Sequence, residues 1–259
     1  MSTMTDRASG QNLIKLAKQQ YEQQQRLTLP SNTVKLPSNG LVYMESSPLR
    51  SGEVEIRYMT AYDEDIITNS TYIRDNTVYE RLLESIIVTP GVNVSEIVIG
   101  DRDAILVAAR IYSYEKSYPI IVSENGNEVV KQIDLTKIPH KPFTLTTDEM
   151  GEVSYETESG LKLKFRFLNI GDIHYIANLE ESKSTAMLQT MLTEINGERD
   201  PEYINNYVRH NLIVRETRKL QAYIVEHMPG LSSQEIEFEG ESGDTFRATF
   251  QAGIQLFWV

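Results

Sequence analysis

The chain has 259 residues, of which 40% are apolar, and a formal net charge of −12 at pH 7. This apolar content can fill the core of one large domain or two small ones. It contains no cysteine, which excludes disulfides, thiol nucleophiles, iron–sulfur clusters and thiolate zinc sites. The acidic charge argues against a nucleic-acid partner, because phosphate backbones are bound through Lys and Arg.

The sequence also argues against a membrane partner. No apolar run approaches the roughly 18 residues that a membrane span needs. The N-terminal residues lack the apolar stretch of a signal peptide, so we expect a cytosolic protein at synthesis.

Residues 12–27 have the pattern of an amphipathic helix. Leu13, Leu16 and Tyr21 recur at helical spacing among glutamines, which places a narrow apolar stripe on one face. Two Leu-Pro-Ser-Asn copies follow within residues 29–39, and proline opposes regular structure, so we predict a linker there. The helix is therefore an arm whose stripe packs either on its own domain or on a partner.

Charge is distributed unevenly between this arm and the rest of the chain. Five basic and two acidic residues precede Leu36, giving about +3 there and about −15 for the remainder. A basic arm can dock on an acidic neighbour, including another copy of the chain. The alternative is a solvated tail whose charge has no role.

The first half of the main domain reads as strands followed by helices. Strands are predicted at 41–44 and 54–58, and helices at 78–88 and 102–114. Thr60 is the predicted N-cap of a further helix, with Asp63, Glu64 and Asp65 in its first turn, where carboxylates favour the helix dipole. Asp101 is the predicted cap of the helix from 102.

The second half alternates hairpins and helices. Two hairpins are predicted around Asn125-Gly126 and Ser159-Gly160, because such pairs favour tight turns. In the second hairpin, Leu and Phe alternate with Lys and Arg between 161 and 167, giving an apolar and a basic face. The remaining predicted elements are a helix over 170–195 with a possible break at 180–185, a helix over 201–228, and a hairpin of 234–239 with 245–251.

These elements predict an α+β fold in which mixed β-hairpins pack with helices. A helical subdomain and a C-terminal hairpin complete it, and the N-terminal helical arm precedes it. We expect the arm and linker at 1–35, an α+β core at 36–168, and a helical segment with the hairpin and an aromatic terminus at 169–259.

Motifs that carry chemistry do not occur in this sequence. There is no glycine-rich phosphate loop, no nucleophile elbow and no HExxH pair, and the four histidines lie far apart. We therefore predict no catalytic residue, no cofactor and no metal ligand, and a protein that is not an enzyme. An active site assembled from distant residues is the alternative.

Aromatic residues supply the candidate contacts instead. Tyrosine outnumbers phenylalanine 14 to 7, and tyrosine suits both interfaces and ordinary half-buried positions. Phe257 and Trp258 lie at the C-terminus, where two large aromatics need a pocket in their own domain or in a neighbour.

Several short motifs, in their order and spacing, resemble a family of T-even-type phage baseplate proteins that contains hub subunits and hub assembly factors. The motifs are Leu36-Pro-Ser-Asn-Gly40 with Tyr43, Tyr58-Met59-Thr60 with Asp63-Glu64, Gly100-Asp101-Arg102, Arg110 with Tyr112-Ser113-Tyr114, Ile133-Asp134-Leu135, Phe167-Leu168 with Gly171-Asp172, and Phe257-Trp258. Members of that family often carry a Cys-x-x-Cys where this chain has residues 122–126. Its absence removes any expectation of zinc.

The resemblance implies a structural and interaction protein of the baseplate hub of a contractile tail. Its partners would be other hub or tail proteins or a second copy, and its location the host cytoplasm during assembly and then the virion tail baseplate. The alternative is a transient hub assembly factor, a chaperone absent from the mature virion. The candidate interaction residues are Leu13, Leu16, Tyr21, Leu36, Pro37, Gly40, Phe257 and Trp258.

Overall fold

The computed structural model describes residues 29–124, 127–141, 143–179, 183–231, 235–239 and 245–258. The helix predicted over residues 12–27, with Leu13, Leu16 and Tyr21, lies outside these residues. The described part has a mixed α+β fold, as predicted.

The strands form small antiparallel sheets. They are β1 (Ser31–Lys35), β2 (Glu53–Arg57), β3 (Ser117–Glu124), β4 (Asn127–Asp134), β5 (His140–Lys141), β6 (Val153–Glu156), β7 (Lys162–Phe165), β8 (Leu192–Ile195), β9 (Gly230–Leu231), β10 (Glu235–Glu239) and β11 (Thr245–Thr249). The pairs are β1 with β2, β3 with β4, β5 with β9 and β10 with β11, and β6, β7 and β8 form a three-stranded sheet.

The helices pack around these sheets. They are α1 (Ala61–Thr68), α2 (Ser70–Arg74), α3 (Val78–Ile86), α4 (Ile99–Ser113), α5 (Ile170–Ala177), α6 (Lys183–Met191), α7 (Pro201–His210) and α8 (Val214–His227). Helix α4 lies deep in the core, with Ile105, Leu106 and Ala109 inaccessible to solvent.

The segment predicted as a linker contains strand β1, so the linker prediction is wrong for residues 31–35. Strand β1 pairs with β2, and Val34 and Val54 are both buried directly opposite each other. Burial of this pair outweighs the turn preference of the flanking Pro and Ser-Asn residues. The prediction of a strand over 41–44 is also wrong, because residues 37–43 form successive turns and bends.

Helix α1 confirms the predicted cap. Thr60 and Asp63 form a capping box, in which each satisfies a backbone N–H of the other residue. Helix α4, by contrast, begins at Ile99 with Val98 as its N-cap, so the prediction that Asp101 is the cap is wrong. Asp101 lies inside the first turn, because its carboxylate is hydrogen-bonded to another segment of the chain.

The three predicted hairpins are confirmed as β3–β4, β6–β7 and β10–β11. In β7, Leu163 and Phe165 are buried while Lys162 is exposed, as the alternation predicts. Residues 192–195 are not helical, contrary to prediction. They form β8, which pairs with the free edge of β7 and buries Leu192 and Ile195.

The single helix predicted over 201–228 is wrong, because it is divided into α7 and α8. The backbone N–H groups of Asn211 and Leu212 both donate to the carbonyl of Tyr207 and end α7. Ile213 is extended and starts α8. The sequence periodicity over 201–228 therefore did not predict the break at residues 211–213.

The C-terminal segment packs on α4. Gly100 lies against the backbone of Pro229 and Gly230, so closely that a Cβ at position 100 would overlap the Pro229 carbonyl. The Nε atom of Arg110 donates to the carbonyl of Leu256 over 2.9 Å. Both contacts join residues beyond α8 to the centre of the domain.

Candidate interaction surfaces

Two of the sequence motifs meet in one buried cluster formed by Ser38, Tyr43 and Asp101. The Asp101 carboxylate accepts hydrogen bonds from the N–H and Oγ of Ser38, at 2.9 and 2.6 Å, and from the Tyr43 hydroxyl at 2.6 Å. The Tyr43 hydroxyl in turn accepts from the N–H of Val98 over 3.2 Å. These bonds hold the turns after β1 against the first turn of α4.

The electrostatics of this cluster follow from its burial. Burial raises the pKa of Asp101, against the opposing effect of its bonds from Ser38 and Tyr43. Burial and the neighbouring Asp101 raise the pKa of Tyr43. The side chains of Ser38 and Asp101 are inaccessible to solvent, so no substrate reaches this pair and its role is to join two segments.

Leu36, Pro37 and Gly40 were predicted as interaction residues, and all three are buried in the same region. Leu36 is 1% exposed. Gly40 has a φ of 78° and a Cβ there would overlap the carbonyl of Arg50, so glycine is required. These positions stabilise the turns from inside and are not at a surface that a partner reaches.

A second buried cluster joins β2, α1 and α3. The Arg57 guanidinium donates to both oxygens of Asp63 at 2.8 and 2.9 Å and to the Ser85 hydroxyl at 2.8 Å. Although burial alone would raise it, the bonds from Arg57, Ser85 and Thr60 lower the pKa of Asp63. The Asp63 carboxylate is thus engaged within the fold by Arg57 and Thr60.

A similar arrangement recurs in the second half. Arg166 donates to both oxygens of Asp172, which forms a capping box with Asn169 at the start of α5. Arg199 donates to Glu152 and Glu194 beside the three-stranded sheet. The motif residue Asp172 is therefore paired within the domain, as Asp63 is.

The C-terminal aromatics divide between the core and the surface. Phe257 is buried, with its ring 6.1 Å from that of Tyr114, whereas Trp258 is 51% exposed. Tyr118 packs edge-on against Phe250. The pocket for Phe257 is in its own domain, and Trp258 remains available to a partner.

Helix α8 exposes two valines on one side, with the polar residues Arg218 and Gln221 between them along that side. Val214 is 68% exposed and Val225 is 66% exposed. Ile213 and Met228, at its two ends, are 52% and 40% exposed. Sequence reasoning missed this face because the residues were assigned to one long helix with α7. The signal that would have found it is the pair of valines eleven residues apart, on one side of a helix.

The β3–β4 hairpin presents a second exposed apolar pair. Ile121 and Val130 lie directly opposite each other on its outer face and are 67% and 63% exposed. The other face, with Val122 and Ile133, is buried. Exposed and buried side chains thus alternate along both strands, as expected for an antiparallel pair with one face on the core.

A groove of about 790 Å³ lies between α5, α6 and α7. Its lining mixes the ring of Tyr175, the aliphatic Leu192 and Ile204, and polar groups such as Gln189 and Asn206. Tyr175 is 61% exposed at its edge.

Within the described residues, no group of three or more His, Asp or Glu side chains is placed to hold a metal ion. None of the described helices is long and apolar enough to cross a membrane. The turn at 125–126, within the segment where the resembled family often carries Cys-x-x-Cys, lies outside the described residues.

Comparison with known proteins gives one family. A family model described as T4 bacteriophage base plate protein matches residues 30–210. No curated protein and no solved structure matches the chain. The matched span contains both buried clusters and ends just before α8.

Proposed function

The chain belongs to the family of T4 bacteriophage base plate proteins, and from this premise we propose that it is a non-catalytic component of the hub. The family indicates a structural or assembly role in the phage base plate and contacts with other base plate or tail proteins. The finer proposal is that the chain joins the central hub of a contractile tail through protein–protein contacts.

One observation supports a binding role most directly. Charged residues of the family motifs, such as Asp63, Asp101 and Arg110, are hydrogen-bonded inside the domain. Apolar side chains such as Val214, Val225 and Trp258 lie on the surface. Exposed apolar side chains aligned on one element are typical of surfaces that a partner covers. We propose that the protein has no catalytic site, metal or cofactor.

The hub proposal is tested by counting copies of the chain. Quantitative mass spectrometry compares purified virions with infected-cell lysate. A fixed, small number of copies per virion is expected of a hub subunit. Abundance in lysate together with absence from virions would contradict it.

That second outcome is the one expected of a transient hub assembly factor, our alternative proposal. The net charge of −12 favours this alternative to a limited degree, because an acidic protein keeps bound partners soluble. Pull-down from lysate at successive times after infection then distinguishes release from failure to bind. An assembly factor associates with hub proteins early and dissociates later.

We also propose that the N-terminal arm is a docking element. Deleting residues 1–28 tests this without removing β1, whose Val34 is buried. The deletion should leave the thermal unfolding of the body unchanged and weaken co-purification with hub proteins. Unchanged co-purification would exclude the arm.

A more specific test than the deletion changes only the apolar stripe, by combining Leu13→Ser, Leu16→Ser and Tyr21→Ser in one chain. The matched control replaces Gln19 and Gln25, which lie away from the stripe on the predicted helix, by Ser. If the stripe is the contact, only the first variant loses hub proteins in the pull-down. Equal loss in both would indicate a general effect of the arm's composition.

A further inference from the structure

The exposed face of α8 has a pattern that matches itself when the helix is reversed. Val214 and Val225 are eleven residues, about three turns, apart and lie within about 20° of each other around the helix axis. Arg215 and Glu226 are also eleven residues apart and lie together on one flank of the valines, by the same geometry. All four side chains are exposed.

From this self-complementary pattern we propose that α8 is an interface between two copies of the chain, packed antiparallel about a two-fold axis. Val214 of one copy then meets Val225 of the other, because the two lie at equal distances from a two-fold axis that crosses the helix between Lys219 and Leu220. Arg215 meets Glu226 of the second copy, since a two-fold axis across the helix pair keeps the same flank of each helix together. Each contact occurs twice.

The charges on the face are available for this pairing. Within the described residues, no hydrogen bond or ion pair engages Arg215 or Glu226. The neighbouring Lys219 is paired with Glu158, and Arg215 lies close enough to help lower the pKa of that carboxylate. Complementary charges at the edge of an apolar contact fix its register and orientation. Ile213 and Met228 extend the apolar contact at the two ends of the helix.

Substitution of Arg218 distinguishes this proposal from the docking of an unrelated acidic protein. Arg218 lies between the two valines along the helix axis and within about 40° of both around it. It is exposed and, within the described part of the chain, has no bonded carboxylate. In the antiparallel pair the two Arg218 side chains lie within about one turn of each other and repel. An acidic partner would instead attract Arg218.

This interface lies beyond residues 30–210, which the family model matches. It is a property of the purified chain, and its test does not depend on the hub role.

Sedimentation velocity of the purified full chain over a range of concentrations measures the dimer. Arg215→Glu and Glu226→Arg should each raise the dimer dissociation constant about tenfold or more, because each creates two like-charge contacts. The double swap Arg215→Glu with Glu226→Arg should restore it. Arg218→Ala should leave it unchanged or lower it. The control is Arg74→Glu, an exposed charge reversal on α2, which should have no effect.

A monomeric wild type would overturn the proposal, and so would a dimer that ignores the single reversals or is not restored by the swap. A monomer that binds an acidic partner and loses it on Arg218→Ala would show a docking face for another protein instead. Circular dichroism of each variant verifies the fold.

Because the chain has no cysteine, disulfide trapping tests the geometry independently. Val214→Cys with Val225→Cys in one chain should form covalent dimers under a mild oxidant. Val214→Cys alone should not, because the two copies of position 214 would lie about 16 Å apart. Rapid linking through the single variant would indicate a parallel arrangement and contradict the proposal.

Discussion

The region matched by the family model contains buried charged clusters that join distant segments, whereas the helix that follows it carries exposed valines beside exposed charges. Between 30 and 210, Arg57, Asp63 and Asp101 are buried and hydrogen-bonded within the domain. In α8, Val214 and Val225 are the exposed groups, and the charges beside them have no bonded partner among the described residues.

The difference shows that the motif residues of these clusters serve the fold, whereas the exposed valines of α8 are not part of any motif. The motifs join distant segments of the chain, since Ser38 binds Asp101 and Arg57 binds Asp63 and Ser85. Substitutions in the two regions should affect different measurements.

The largest effect on stability is expected from Asp63→Asn. It leaves the Arg57 guanidinium buried without its carboxylate, which costs about 4 kcal/mol of unfolding free energy. Denaturant unfolding at pH 7 measures the loss. Asp75→Asn is the matched control, because its pair with Arg74 is exposed, and it should change stability little. A small loss for Asp63→Asn would contradict the structural role of the cluster.

The same variant should change the dependence of stability on pH. The pKa of Asp63 is lowered in the folded protein, so its contribution is present above the unfolded pKa of about 4 and is lost as the pH falls through the folded pKa. Between pH 5 and pH 2, approximately, the wild type should therefore lose stability more steeply than Asp63→Asn. Parallel curves would show that the carboxylate is not stabilised by folding.

Gly100→Ala should cost about 3 kcal/mol, because the new methyl overlaps the Pro229 carbonyl and separates the C-terminal segment from α4. Gly171→Ala is the control. It is also the second residue of its helix, but its Cβ would lie 3.3 Å from the Ser95 side chain, which requires only a small shift. A loss for Gly100→Ala as small as that of the control would mean that Pro229 moves easily and that the C-terminal segment is loosely attached.

Asp101→Asn should cost about 2 kcal/mol, since the amide places donors against the Ser38 and Tyr43 donors. Tyr43→Phe removes one of these bonds and should cost less. Because the two residues share a hydrogen bond, the double variant should lose less than the two single losses combined. Strict additivity in denaturant unfolding would argue that the bond contributes nothing.

The smallest effect on stability is expected from Val225→Ser in α8. The side chain is 66% exposed, so its removal should change the unfolding free energy of the monomer by less than about 0.5 kcal/mol. The same variant should weaken dimerisation. Substantial destabilisation of the monomer would contradict the prediction that this residue of α8 contributes to dimerisation and not to the fold.

Local sequence patterns correctly predicted those features whose contacts are made by residues close together in the chain. The cap formed by Thr60 and Asp63, the turn at Gly160 and the alternation of β7 were all predicted, because near neighbours in sequence supply the contacts. The resemblance to the phage baseplate family was likewise present in short motifs, and the family model confirms it at the level of the base plate.

The tertiary structure decided the features that depend on contacts between distant segments. Strand β1 exists because Val34 is buried opposite Val54, and β8 exists because β7 has a free edge, although both stretches read locally as linker or helix. The burial of Leu36 and the exposure of Val214 also depend on which neighbours cover them. Sequence periodicity predicts that a face is apolar, but only tertiary packing determines whether other parts of the chain cover that face.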